Sequence, residues 1–176
     1  MKYNEAKIYD ELNENLVEIR NALNNLSFNQ QNAKDKLFNG WVFEQTIANC
    51  LLEEFNNEIN IEQQYCFSKF KIQSEKTCKG TADLVVEFNG KRVFIELKHT
   101  GIFNDDLDKY KKYKKIIEDN GFHYLYLSKS ENHPPFVNKC KEAFGAENVF
   151  LLKEGNGDWE RFVERIKQII CYKSRV

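Results

Sequence analysis

The dipeptide Asn89-Gly90 constrains this chain more than any other feature in it. It stands between two runs rich in β-branched and aromatic residues, Leu84 to Phe88 and Val93 to Leu97. Asn-Gly between such runs is the strongest short-range signal for a β-hairpin. A two-residue turn sets the register, so that Phe88 faces Lys91, Val86 faces Val93 and Asp83 faces Glu96. Strand alternation then sorts the residues by face. Leu84, Val86 and Phe88 share a core face with Val93, Ile95 and Leu97, while Asp83, Val85, Glu87, Arg92, Phe94, Glu96 and Lys98 share the other. Near the turn Glu87 opposes Arg92, a favourable pair. At the far end Asp83 opposes Glu96. Carboxylates directly across a ladder, ~5 Å apart, repel by on the order of 3 kcal/mol at an effective dielectric of ~20. A divalent cation between them would turn that cost into a binding site for a hard, oxygen-preferring ion such as Mg²⁺.

An Asp, a short hairpin and then Glu96-Leu97-Lys98 resembles the signature of the PD-(D/E)XK nuclease superfamily. Gly40-Trp41-Val42-Phe43-Glu44 is similar to the glutamate-bearing helical element of that superfamily. Asp106-Leu107-Asp108-Lys109-Tyr110 falls where many members carry a Gln-x-x-x-Tyr helix. The chain departs from the pattern at Ala82, where Pro is common, and at Asp106, where Gln is. The likeness spans roughly residues 33–130 and rests on order, spacing, hairpin and helix together, since a bare Glu-x-Lys recurs by chance. It implies a restriction-endonuclease-like α-β-β-β-α-β core and a metal-dependent nuclease using Mg²⁺ or Mn²⁺. Asp83 and Glu96 would hold the ion with the Leu97 backbone carbonyl, and Glu44 would be an outer ligand or help bind a second ion. Lys98 would orient or deprotonate the attacking water, or neutralise charge in the transition state. By the same analogy the substrate is DNA rather than RNA.

Composition bounds the rest. At 176 residues, 41% apolar and 30% charged, the chain reads as one globular domain, 1–176, with 1–30 a helical extension. No run approaches a membrane span, and Met-Lys-Tyr-Asn-Glu at the start has no apolar signal core, so a cytoplasmic protein without membrane partners is expected. Five scattered cysteines with no Cys-x-x-Cys fit reduced thiols and argue against zinc or iron–sulfur chemistry. The net charge of −1 excludes a generic polyanion binder. It is unevenly spread, with 5 Lys/Arg against 10 Asp/Glu in residues 1–60 and 21 against 17 afterwards.

Residues 3–27 read as an amphipathic helix with the seam Ile8, Leu12, Leu16, Ile19, Leu23 and Leu26. That seam suits either the domain's own core or a homodimer. Asn32 is placed to cap a second helix over about 33–57, whose stripe Leu37, Trp41, Glu44, Ala48, Leu51 and Phe55 puts Glu44 on an apolar face. Residues 59–71 read as a strand. The loop from Ser68 to Gly80, with four lysines against one glutamate, leads into Asp83. Its Lys69, Lys71, Lys76 and Lys79 are candidate phosphate contacts, as are Tyr110, Lys111 and Lys114 on a helix entered near Asp105. A buried strand over Phe122–Leu127, a helix near 136–144, a strand at Val149–Leu152 and a last helix after Gly155-Asn156-Gly157 complete a mixed α/β order. His123 reads as a core or edge residue, and His99, next to Lys98, as structural or in reach of a phosphate. Two rivals to the nuclease remain: a nuclease-like domain that binds nucleic acid without cutting, and a module that docks a partner through its acidic N-terminal helix.

Overall fold

The computed structural model describes residues 1–24, 31–70, 80–99, 104–129 and 134–173. Asn89 and Gly90 both take positive φ, 50° and 78°. This left-handed pair makes the tight hairpin turn whose twist matches the strands it joins. It locks β2 (Thr81–Phe88) antiparallel to β3 (Lys91–Lys98), with Phe88 opposite Lys91, Glu87 opposite Arg92 and Val86 opposite Val93, the expected register. Strand β1 (Asn60–Cys66) pairs antiparallel with the outer edge of β2. On the other side β4 (His123–Ser128) pairs parallel with β3, and β5 (Val149–Leu151) parallel with β4. The result is a five-stranded mixed sheet in the order β1-β2-β3-β4-β5.

Helices cover both faces, so the fold is mixed α/β. One face of the hairpin, with Leu84, Val86, Val93, Ile95 and Leu97, packs under α1 (Glu5–Asn24), α2 (Gln31–Glu54) and α5 (Asp158–Ile170). The other, with Val85 and Phe94, packs with Tyr124 and Tyr126 under α3 (Asn104–Asp119) and α4 (Pro134–Phe144). The two parallel connections run through α3 and α4, as parallel strands require. The stretch α2-β1-β2-β3-α3-β4 has the α-β-β-β-α-β order implied by the superfamily likeness.

Several boundaries differ from expectation. The first helix begins at Glu5, two residues later than expected, and its seam is occupied within the chain: Ile8 and Leu12 are buried and Leu16 and Ile19 pack on the same core. Leu23, Leu26 and Leu37 lie outside the described side chains. Helix α2 starts at Gln31, so Asn32 is inside it and does not cap it. Strand β1 stops at Cys66 and gives way to a 3₁₀ turn, Phe67–Lys69. Ala48, Leu51 and Phe55 of the expected stripe are buried, but its earlier part is shifted: Val42, Phe43 and Ile47 are buried, while Trp41 is 51% exposed. Trp41-Val42-Phe43 is apolar throughout and leaves the helical phase undetermined; the sheet selects Phe43. Glu44 therefore sits at the rim of the apolar face and not in its middle.

Candidate active site

Asp83 sits where the ladder changes character. Regular pairing of β2 with β3 runs from Phe88–Lys91 to Leu84–Ile95. One residue further the Asp83 side chain takes over from the backbone, its Oδ2 accepting the Leu97 N–H at 2.8 Å. On the other edge of β2 the pairing with β1 is interrupted at Gln64, between Gln63–Leu84 and Tyr65–Ala82. Gln64 has φ +51°, unusual for a residue with a Cβ. Past this point Ala82 and Tyr65 turn into the core beneath α3, against the alternation set by Leu84. The break frees one carboxylate from the sheet's regular pattern.

Glu96 and Lys98 are two residues apart on β3 and so share a face. The Lys98 ammonium donates to Glu96 Oε1 at 2.5 Å and lies 4.0 Å from Asp83 Oδ2. One cation thus spans the two carboxylates that the hairpin register brings together. The second Glu96 oxygen, Oε2, accepts the buried Tyr124 hydroxyl at 2.7 Å, and Tyr110 hydrogen-bonds the same carboxylate. The Lys98 ammonium also lies 5.2 Å from the centre of the Tyr110 ring, a cation–π contact.

Burial, then the charge of Glu96, pushes the Asp83 carboxyl up to about 7; Glu44 adds to this, and Lys98 and the Leu97 N–H oppose it. Burial also raises Glu44, against a hydrogen bond from Gln64. For Lys98 burial pulls downward, but Glu96 and Asp83 outweigh it and hold the amine above its usual range. Lys98 is therefore an ammonium here.

Gln64 ties the third carboxylate to the other two. Its Nε2 donates to Glu44 Oε2 at 2.8 Å and to Asp83 Oδ1 at 3.4 Å, and its Oε1 accepts from Thr81 Oγ1 at 3.4 Å. Neither Gln64 nor Tyr124 was legible as a site residue. The run Glu62-Gln63-Gln64 carries no mark of a left-handed break, and Tyr124 in a buried strand reads only as core.

The donor set suits a hard cation. Asp83 and Glu96 present carboxylate oxygens, and Mg²⁺ binds through one or two carboxylates while keeping waters. Among the described residues there is no group of three or more His, Cys, Asp or Glu placed to hold a metal; Glu44 is linked to Asp83 through Gln64.

The structure does not gather the predicted phosphate contacts into this site. Tyr110 is 1% exposed, among Tyr113 and Phe144, and faces inward to Glu96 because its phenol is worth more as a core residue with a buried acceptor. It is not placed to touch an external phosphate. Lys69 pairs with Glu62, Lys114 pairs with Glu118 at 3.2 Å, and Lys111 is exposed. Lys71, Lys76 and Lys79 lie outside the described residues.

No family model and no curated protein matches the chain. Among solved structures it is similar to protein VC1899 from Vibrio cholerae, with a TM-score of 0.51 and 13% identity over 79% of this chain. The chain spans 36% of the length of that protein. It also aligns with the small subunit, R.BspD6I2, of the heterodimeric restriction endonuclease R.BspD6I, at a TM-score of 0.40 and 18% identity, over 73% of this chain and 76% of that one. SfsA of Pyrococcus furiosus, solved in complex with Ca²⁺, aligns at a TM-score of 0.36 and 15% identity, over 64% and 54%. The first likeness speaks to the fold alone, and the other two are too distant to carry an argument.

Proposed function

We propose that the chain is a metal-dependent nuclease that hydrolyses phosphodiester bonds, of DNA in the first instance. One observation carries this reading: the Lys98 ammonium lies between Asp83 and Glu96 at the end of the hairpin. Two buried carboxylates and a lysine on one strand end match the chemistry of phosphoryl hydrolysis. A Mg²⁺ or Mn²⁺ ion held by Asp83, Glu96 and the Leu97 carbonyl would polarise the scissile phosphate and lower the pKa of a bound water. Tyr124 fixes the Glu96 carboxylate from behind, leaving Oε1 as the face turned to the site. Lys98, being charged, acts as an electrostatic partner for the developing negative charge and not as a base in this state. Glu44 and Gln64 close the side toward α2.

A second reading has its own support. Lys98 already neutralises the carboxylates without a metal, as a nuclease-like domain that binds nucleic acid without cutting would do. Incubation with supercoiled plasmid and with a single strand, each with Mg²⁺, Mn²⁺ or EDTA, separates the two. Cleavage only with metal is the expected result. Binding without cleavage under every condition establishes the second reading and ends the first.

A further inference from the structure

Lys129 has no role in the site as described, yet its placement is unusual. It directly follows β4, as His99 directly follows β3, and these parallel strands pair up to Lys98–Ser128. Both side chains therefore leave the sheet at one carboxyl-terminal edge, the edge where open α/β sheets bind ligands. The Lys129 ammonium is 3.5 Å from His99 Nε2 and 5.3 Å from the centre of the Tyr9 ring. The Tyr9 hydroxyl pins the backbone beneath by donating to the Lys129 carbonyl at 3.1 Å and to that of Leu152. Phe43 meets the His99 ring edge-on at 6.0 Å, and the next residue along α2 is Glu44. His99 thus lies on the α2 side of the strand end whose other side carries Lys98.

Among the described residues no carboxylate reaches Lys129 or His99. By contrast the partly buried Lys98, Lys114 and Lys167 each have an acid partner, Glu96, Glu118 and Glu164. Burial lowers the affinity of Lys129 for its proton. Two nitrogen groups converging with no acid partner among the described residues form a place that an anion would stabilise.

We propose that Lys129 and His99 form a phosphate subsite, holding an internal backbone phosphate of the substrate next to the one cleaved at Asp83, Glu96 and Lys98. This rests on the nuclease reading. It extends the site across the end of β3 toward α2, so that neighbouring phosphates of one strand meet Lys98 and Lys129 in turn. A terminal phosphate monoester has the same chemistry, and the test distinguishes it.

Binding of an oligonucleotide is followed by anisotropy over a range of salt, in an Asp83→Asn background that does not cut. Lys129→Gln is expected to bind about tenfold more weakly and to lose about one phosphate from the salt slope, while Lys129→Arg retains both. A 5′-phosphate should leave the affinity unchanged; if it instead accounts for the whole effect of Lys129→Gln, the internal assignment is wrong. Equal affinity and slope for Lys129→Gln and its parent overturn the subsite altogether. A second readout needs no substrate. Inorganic phosphate should shift the His99 ring resonances saturably, and the shift should vanish in Lys129→Gln. A His99 response in a protein that cuts nothing leaves the subsite standing and removes the nuclease reading. An active nuclease whose His99 ignores phosphate does the reverse.

Discussion

Replacing Asp83 with Asn should stabilise the metal-free protein, and the gain should depend on pH in a defined way. The Asp83 carboxyl rises from an ordinary value of 3.8 to about 7 through burial and then Glu96. The folded protein therefore binds a proton that the unfolded chain has lost, and stability present below pH ~4 is lost as pH rises toward 7. Each unit is worth ~1.4 kcal/mol, so the full loss is on the order of 4 kcal/mol. With its side chain only 13% exposed, little of this is screened by solvent. Asn removes the ionisation but accepts the Leu97 N–H less strongly, a debit of ~1 kcal/mol. The expected net gain above pH 7 is about 2–3 kcal/mol, or very roughly 5–10 °C in Tm for a chain of this size. Urea and thermal melts of both proteins in EDTA, from pH 4 to 8, would measure it. The difference should be near zero at pH 4, grow to pH 7 and then level off. A difference that is flat with pH, or an Asp83→Asn protein less stable than its parent at pH 8, would refute the charge argument.

Other substitutions separate the parts of the site. Lys98→Ala should slow cleavage by about 10²-fold or more, well beyond any loss of substrate affinity; a wild-type rate in single-turnover kinetics would make Lys98 a bystander. Gln64→Gly should relieve the left-handed strain yet cut the link from Glu44 to Asp83, lowering the cleavage rate severalfold with urea stability no worse than about 1 kcal/mol below the parent. Gly80→Ala places a Cβ 2.6 Å from the Tyr113 ring, so a loss of ~1–3 kcal/mol is expected in the same melts.

How far the sequence carries depends on the range of the forces involved. Asn89-Gly90 sets its own backbone, and the hairpin register follows from it within a few residues. Asp83, Glu96 and Lys98 were therefore placed together before any tertiary contact was considered. The phase of α2 was not legible, because the apolar run at Trp41-Val42-Phe43 fits two helical faces and the sheet makes the choice. The sequence assigns Tyr110 to phosphate, because a phenol reads the same whether its hydroxyl meets solvent or a buried carboxylate. Gln64 and Tyr124 owe their roles to strands distant in sequence, and nothing local distinguishes either residue.

The treatment of the other buried acids argues that Asp83 is kept available on purpose. Glu54, also on α2, accepts the backbone N–H groups of Lys2 and Tyr3 at 2.9 and 2.7 Å, with the Trp159 indole at 3.4 Å. Glu5 accepts the Trp159 backbone N–H at 3.0 Å. Asp158 has the Leu151 N–H at 2.8 Å and an ion pair with Arg161 at 2.5 Å. Glu54 and Asp158 are each matched by two or more close donors, whereas Glu5, like Asp83, has one. Asp83 has one close donor, the Leu97 N–H; Gln64 is at 3.4 Å and Lys98 at 4.0 Å. Lys98 lies nearer to Glu96 than to Asp83. Asp83 instead lies beside a second buried carboxylate, and burial and then Glu96 raise it to about 7, a cost that a cation would repay. That is the pattern expected of a functional carboxylate and not of a structural one.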